Sequence, residues 1–254
     1  MRWHRIVDPA FEMDLAQDDG ARARSAESPW LQPWAVSPAL ELRLATSCTA
    51  VQTADDGIVL VDPFCTFGGA GDAERRIGLL AGVGVTIEDV THVDGVGLLW
   101  FDDGSPVFTS ARVLVPGPDL SAIDGGTYPE VEPLLRIAEP HPSSGPVVPG
   151  ITLVPLDGHQ PGHAGVAIGD PWEVLCTGHL FIDPGQVADL DRPGLDDDLG
   201  TASATRRSIL GRAAEEGFAL CGPLWPEPGV AHVERDGDGF ALRIGEPEAV
   251  ASPG

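Results

Sequence analysis

Apolar residues recur at every second position in several short stretches of the chain, and at helical spacing in others. Leu40, Leu42 and Leu44 alternate with Glu41 and Arg43, the period of a half-buried strand. Ala50–Thr53 follows, and Ala54–Asp55–Asp56–Gly57 supplies a turn. Ile58–Val59–Leu60–Val61 is then an uninterrupted apolar run, as carried by a strand covered on both faces. Together they predict an antiparallel meander that ends at Asp62–Pro63. Asp72–Leu80 predicts a helix with Asp72 as its cap and Ile77, Leu79 and Leu80 apolar. Ala111–Val115 predicts a strand and Tyr128–Ile137 a helix. Pro140–Pro149, rich in Pro, Ser and Gly, predicts a loop.

The second half opens on the strand-like run Ile151–Leu156. His163–Ile168 and Trp172–Cys176 predict a hairpin turning at Gly169–Asp170–Pro171. Ile209, Leu210, Ala213 and Ala214 share one face of a helix predicted over Ala202–Glu216, capped by Thr201 or Ser203. Ala219–Cys221 and a hairpin around Asp236–Gly239 close the pattern. Two β-rich halves with helices outside them give an α/β (α+β) fold of four layers, αββα. Residues 1–37 show no period and predict an irregular N-terminal arm pinned by Trp3, Phe11, Trp30 and Trp34. Residues 38–254 predict a single domain.

Charge narrows the partners. The 254 residues carry a formal net charge of −24. Nucleic-acid backbones and anionic membrane surfaces would be repelled, so neither is expected as a partner. None of the 15 basic side chains is a Lys, which removes Schiff-base chemistry by a lysine. Cys48, Cys65, Cys176 and Cys221 are scattered, without a Cys-x-x-Cys pair, so neither a disulfide framework nor a zinc ribbon is expected. No apolar run approaches the roughly 18 residues of a membrane helix. Met1–Arg5 lacks the apolar core of a signal peptide, and the expected location is cytoplasmic.

The candidate chemistry sits in Gly158–His159–Gln160–Pro161–Gly162–His163 and in Gly178–His179. Each follows a strand-like run. Two His at the ends of neighbouring strands can converge on one metal ion or one substrate.

These stretches, with Val51–Asp62, Thr91–His92 and Gly178–Gln186, resemble the metallo-β-lactamase superfamily, most nearly its lactone and ester hydrolase branch. The resemblance spans about residues 38 to 244. Thr205–Arg206 with Leu210 resembles the family's T-R-x-x-x-L helix, and Leu224–Val233 resembles its H-F-P-x-P-G-x-G-H-V ending. The resemblance implies an αββα sandwich whose site lies at the strand ends between the two sheets. It also implies a metal centre, usually of two ions, held through T-H-x-H-x-D-H-x-G and later ligands, with a hydroxide that attacks a carbonyl.

The sequence departs from that pattern at Thr91–His92–Val93–Asp94–Gly95–Val96–Gly97. His92 matches the first His. Asp94 matches the motif's Asp if two residues are deleted, and replaces the second His if none is. His159 matches the third His. His179 stands where the bridging Asp is expected, and Leu224 where the last His is expected. A dinuclear zinc centre is therefore not expected. The expected state has no cofactor, and the alternative is one Zn or Fe ion on His92, Asp94, His159 and His179. Without metal, His159 and His179 suit acid–base work, with Asp94 to orient one of them. His163 is expected to be structural, and Cys65 a buried apolar side chain. Trp100, Phe101 and Trp225 are expected to line an apolar substrate pocket.

The implied function is a divergent enzyme acting on a small ester, lactone, thioester or related carbonyl substrate by hydrolysis, cyclisation or elimination. Such divergence would suit a specialised biosynthetic step. The alternatives are a non-catalytic protein that binds a small molecule or regulates, and a residual mononuclear metallohydrolase. The oligomeric state is not set by the sequence.

Overall fold

A computed structural model describes residues 1–17, 19–55, 57–64, 72–94, 106–122 and 136–244. Cys65, Gly95 to Gly97, Trp100, Phe101 and most of the helix expected over Tyr128–Ile137 lie outside these residues.

Two sheets form the body. The first contains β1 (Arg2–Leu15), β2 (Leu42–Gln52), β3 (Ile58–Val61), β4 (Val90–Asp94), β5 (Arg112–Pro116) and β6 (Ala138–His141), paired in that order. From β1 to β3 the pairing is antiparallel; from β3 to β6 it is parallel. The second contains β7 (Gly145–Val148), β8 (Ile151–Pro155), β9 (Ala164–Ile168), β10 (Val174–Cys176), β11 (Ala219–Cys221), β12 (Ala231–Asp236) and β13 (Gly239–Arg243), also side by side in sequence order. Only β10 and β11 run parallel there. The chain between them forms α4 (Gly185–Ala188) and the long α5 (Leu199–Glu216). Among the described residues, α1 (Asp19–Glu27), α2 (Asp72–Gly82) and α3 (Gly117–Ala122) precede them.

The period-two rule accounts for the layers. On β3, Ile58 and Leu60 point to a cluster shared with Ala73 and Leu80 of α2, while Val59 and Val61 point to the space between the sheets. Ile151, Leu153, Val166 and Ile168 meet them from the second sheet. The other face of that sheet packs on Ala202, Ile209, Leu210 and Ala213 of α5. The order is α2, first sheet, second sheet, α5, the four αββα layers that the sequence predicts.

Three expectations need correction. Residues 1–37 are not an irregular arm. β1 is the edge strand of the first sheet, and its alternation is masked because two inward positions carry charge, Arg5 and Asp8. Arg5 donates to Thr49 Oγ1 at 2.8 Å and also reaches Ser47 and the Gly222 carbonyl. Asp8 is fully buried against Arg75 and Arg76 of α2. The loop expected over Pro140–Pro149 contains the end of β6 and all of β7, and both are edge strands, where a missing proline N–H costs no ladder bond. The long helix starts at Leu199, earlier than expected. Its cap is Asp198, whose Oδ1 accepts from the Thr201 N–H at 3.0 Å.

Candidate functional site

The C-terminal ends of β8 and β10 deliver three imidazoles to one place. Leu156 ends the first run, and its N–H donates to the His163 carbonyl, closing a tight loop over Asp157–Gly162. His159 sits in that loop and His163 at its exit. After β10, a single 3-10 turn, Gly178–Phe181, presents His179. The His159 ring meets the His163 ring at 5.1 Å between centroids and the His179 ring at 5.4 Å, both edge to face.

His163 is fully engaged. One ring nitrogen, Nδ1, lies 3.2 Å from the Leu156 carbonyl, to which it donates. The other, Nε2, accepts from the His179 N–H at 3.2 Å. These bonds fix the Nδ1–H tautomer and the path of the turn carrying His179. Gly178 is required there: at φ +49, a Cβ would lie 2.6 Å from His163 Nε2.

His159 is backed by groups that lie outside the family motif. Its Nδ1 lies 3.4 Å from Asp196 Oδ1, longer than a hydrogen bond, so the contact is mainly electrostatic. Arg206 grips the Asp196 carboxylate with Nη2 at 2.8 and 2.9 Å. Its Nε donates to the Leu180 carbonyl at 2.7 Å, and Nη1 to those of Leu190 and Arg192, each at 3.2 Å. Both ionic side chains are completely buried. The Asp197 and Asp198 N–H groups pair with the His159 and Gly158 carbonyls at 2.9 Å, which locks the Asp196 loop to the histidine loop. A sequence signal for this existed. Ala202, Arg206, Ile209, Leu210 and Ala213 form one buried stripe of α5, and a cation in such a stripe demands a carboxylate.

Burial keeps all three rings neutral. It lowers the His163 imidazole to about 3, with His159 and His179 adding to the effect. His179 is held at about 4 by burial and then by His159. His159 is lowered by burial against the pull of Asp196. An imidazole kept neutral in the fold takes a proton only in the unfolded chain, where His titrates near 6.5. Its contribution to stability is full above about pH 6.5 and is lost as pH falls toward the folded values, at up to about 1.4 kcal/mol per pH unit for each ring. Asp62 opposes this below about 6, since burial raises its carboxyl to about 6 and the folded chain then holds the extra proton. The expected result is a urea midpoint that falls from pH 7 to pH 5; equal midpoints would refute it.

Two of the other expected site residues lie on β4. His92 is the third residue of β4, in register with Val59 and Arg112, with Thr91 Oγ1 3.0 Å from its Nδ1. The charges acting on it are Arg112, Glu139 and Asp55. Asp94, two residues on, is buried at the C-terminal end of the same strand. Trp225 is a core residue and not a pocket wall. It has no exposure, donates its indole N–H to the Phe181 carbonyl at 3.1 Å, and packs edge-on against Trp34. Among the described residues, no group of three or more His, Cys, Asp or Glu side chains is arranged to hold a metal ion. Both His163 nitrogens are engaged within the protein, and His92 lies among the charges of Arg112, Glu139 and Asp55.

Comparison with known proteins rests on shape. No family model matches the sequence, and no curated protein matches it. Solved structures do match. The dizinc quorum-quenching lactonase AidC superposes with a TM-score of 0.75 at 12% identity, over 96% of this chain and 94% of its own. The hydrolase AbOPH of the β-lactamase superfamily gives 0.72 at 17% identity, over 95% and 94%. A probable metal-dependent hydrolase from Staphylococcus aureus gives 0.67 at 16% identity, over 96% and 98%. With the layer order and the strand-end histidines, these matches show that the chain has the metallo-β-lactamase fold.

Proposed function

We propose that the chain hydrolyses a small ester or lactone, with His159 as general base. The supporting observation is the neutral His159 ring backed by the buried Asp196–Arg206 pair. Asp196 favours the proton on Nδ1, which leaves the Nε2 lone pair to act. The substrate class is taken from the similarity in fold to AidC, a lactonase, and AbOPH, a hydrolase. His159 removes a proton from water as the oxygen attacks the carbonyl carbon. Asp196 stabilises the imidazolium that forms, and the imidazolium returns the proton to the departing alkoxide. The products are an acid and an alcohol, or a hydroxy acid from a lactone. His179 keeps the His159 ring edge-on, and His163 holds His179 in turn.

The test uses the full chain purified without chelator, its Zn, Fe and Mn content measured, against a panel of lactones and aryl esters. His159→Gln is expected to reduce kcat by about 10²- to 10⁴-fold with the circular dichroism unchanged. Full activity in that variant, or a tightly held stoichiometric metal on which turnover depends, would overturn the base role. A second reading, a protein that binds a small molecule without turning it over, is favoured by the burial of His159, which is 3% exposed. Saturable binding of a panel compound with no product formed would select it.

A further inference from the structure

Cys176 and Cys221 are 45 residues apart in sequence, yet their Sγ atoms lie 3.3 Å apart in the fold. They are register partners at the ends of β10 and β11, the only parallel pair of the second sheet. Both thiols are free and buried between the sheets, 2% and 1% exposed. Thr49 of β2 covers them from the first sheet, its Oγ1 3.6 Å from Cys176 and 3.9 Å from Cys221. Arg5 donates to that same hydroxyl at 2.8 Å. Neither thiol takes part in the hydrolysis proposed above.

We propose that Cys176 and Cys221 form a reversible redox site, closed by a small peroxide into a cross-strand disulfide and reopened by a thiol. The separation is shorter than a van der Waals contact between sulfurs and needs to contract to about 2.05 Å. Neighbouring strands lie about 4.8 Å apart. That spacing suits the Cα atoms of a disulfide but exceeds the roughly 3.8 Å that its Cβ atoms prefer. Closure therefore draws the strands together, and a bond under such tension is readily reduced.

The first proton to leave the pair leaves Cys221. The hydrogen bond with Cys176 lowers this thiol to about 7, and Arg5 and Thr49 act in the same direction against burial. The Cys221 thiolate attacks one peroxide oxygen, the O–O bond breaks, and hydroxide departs, leaving Cys221 as a sulfenic acid. The Cys176 sulfur then attacks the sulfenic sulfur, the S–O bond breaks, and the second oxygen leaves as water with the Cys176 proton. The two thiols lose two electrons and two protons, and the peroxide becomes two waters. Cys48 offers a contrast: burial pushes its thiol far up, and it packs in the cluster on the α2 side of the first sheet.

The experiment exposes the reduced full chain to hydrogen peroxide, blocks free thiols after denaturation, and maps the peptides by mass. The expected result is one cross-link joining the Cys176 and Cys221 peptides, reversed by dithiothreitol, with Cys48 and Cys65 still alkylated. In Cys176→Ser, which keeps a hydrogen-bonding group beside Cys221, the cross-link is absent and a dimedone adduct appears on Cys221. Alkylation of both thiols after treatment, oxidation of Cys221 to sulfinic acid without a cross-link, or pairing with Cys48 or Cys65 would overturn the proposal. This readout does not depend on any hydrolase activity.

Discussion

Arg206→Met is expected to lower the unfolding free energy by about 3–5 kcal/mol, the cost of removing one partner from a buried ion pair. The substitution preserves most of the volume, so cavity formation adds little. The loss comes from what the guanidinium leaves behind. Asp196 keeps a carboxylate with no exposure, and the Leu180 carbonyl loses the Arg206 donor, while those of Leu190 and Arg192 keep Ser203 and Gln186. Each such group bears its own desolvation cost. Replacing both charges, Arg206→Met with Asp196→Leu, removes the stranded carboxylate and is expected to recover part of the stability. Urea unfolding of the two variants separates the explanations: a single variant within about 1 kcal/mol of the parent would show that the pair does not hold this loop.

Gly158→Ala is expected to cost about 3–5 kcal/mol, combining overpacking with strain in the left-handed region. A Cβ there would lie 2.1 Å from the Ala202 nitrogen and 2.5 Å from its Cα, so the first turn of α5 would have to move. The backbone φ of +114 adds to the penalty. Gly217→Ala is the control. Gly217 ends α5 with φ +84, but a Cβ at that position would meet nothing within 4 Å. Only the conformational penalty applies there, about 1 kcal/mol. If both substitutions lower the urea midpoint equally, the close packing of Gly158 on the helix is not what matters. Because Gly158 precedes His159, the same change should also displace the histidine loop from Asp196.

The contrast between regular and special positions explains which features could be read from the sequence. The body of α5 was legible because it follows a single period set by one buried face, β3 because it is an unbroken apolar run covered on both faces, and the hairpin at Asp236–Gly239 from its turn residues. β1 was not, because the inward positions of an edge strand can hold charges that answer to another element, as Asp8 answers to Arg75 and Arg76. The strands β6 and β7 were hidden by proline, which looks like a loop signal unless the strand is known to lie at an edge. His159 and His179 could be found from their glycine neighbours. His92 resembles a motif histidine and lies inside β4, which begins at Val90. Asp196 and the two thiols depended on which strands and loops become neighbours, and no local pattern records that.

The edge formed by β1 has a further consequence for self-association. β2 reads Leu-Arg-Leu-Ala-Thr-Ser-Cys-Thr-Ala-Val-Gln and is buried along almost its whole length. Without β1, its row of unpaired amides would be an open template for another chain. β1 is a poor template in its own right. Pro9 cannot donate, the register shifts between Val7 and Glu12, and Arg5 and Asp8 are committed inward. The first strand thus acts as a terminator that stops the sheet from growing, and molecules shortened past it would be expected to recruit one another into fibrous or amorphous precipitate.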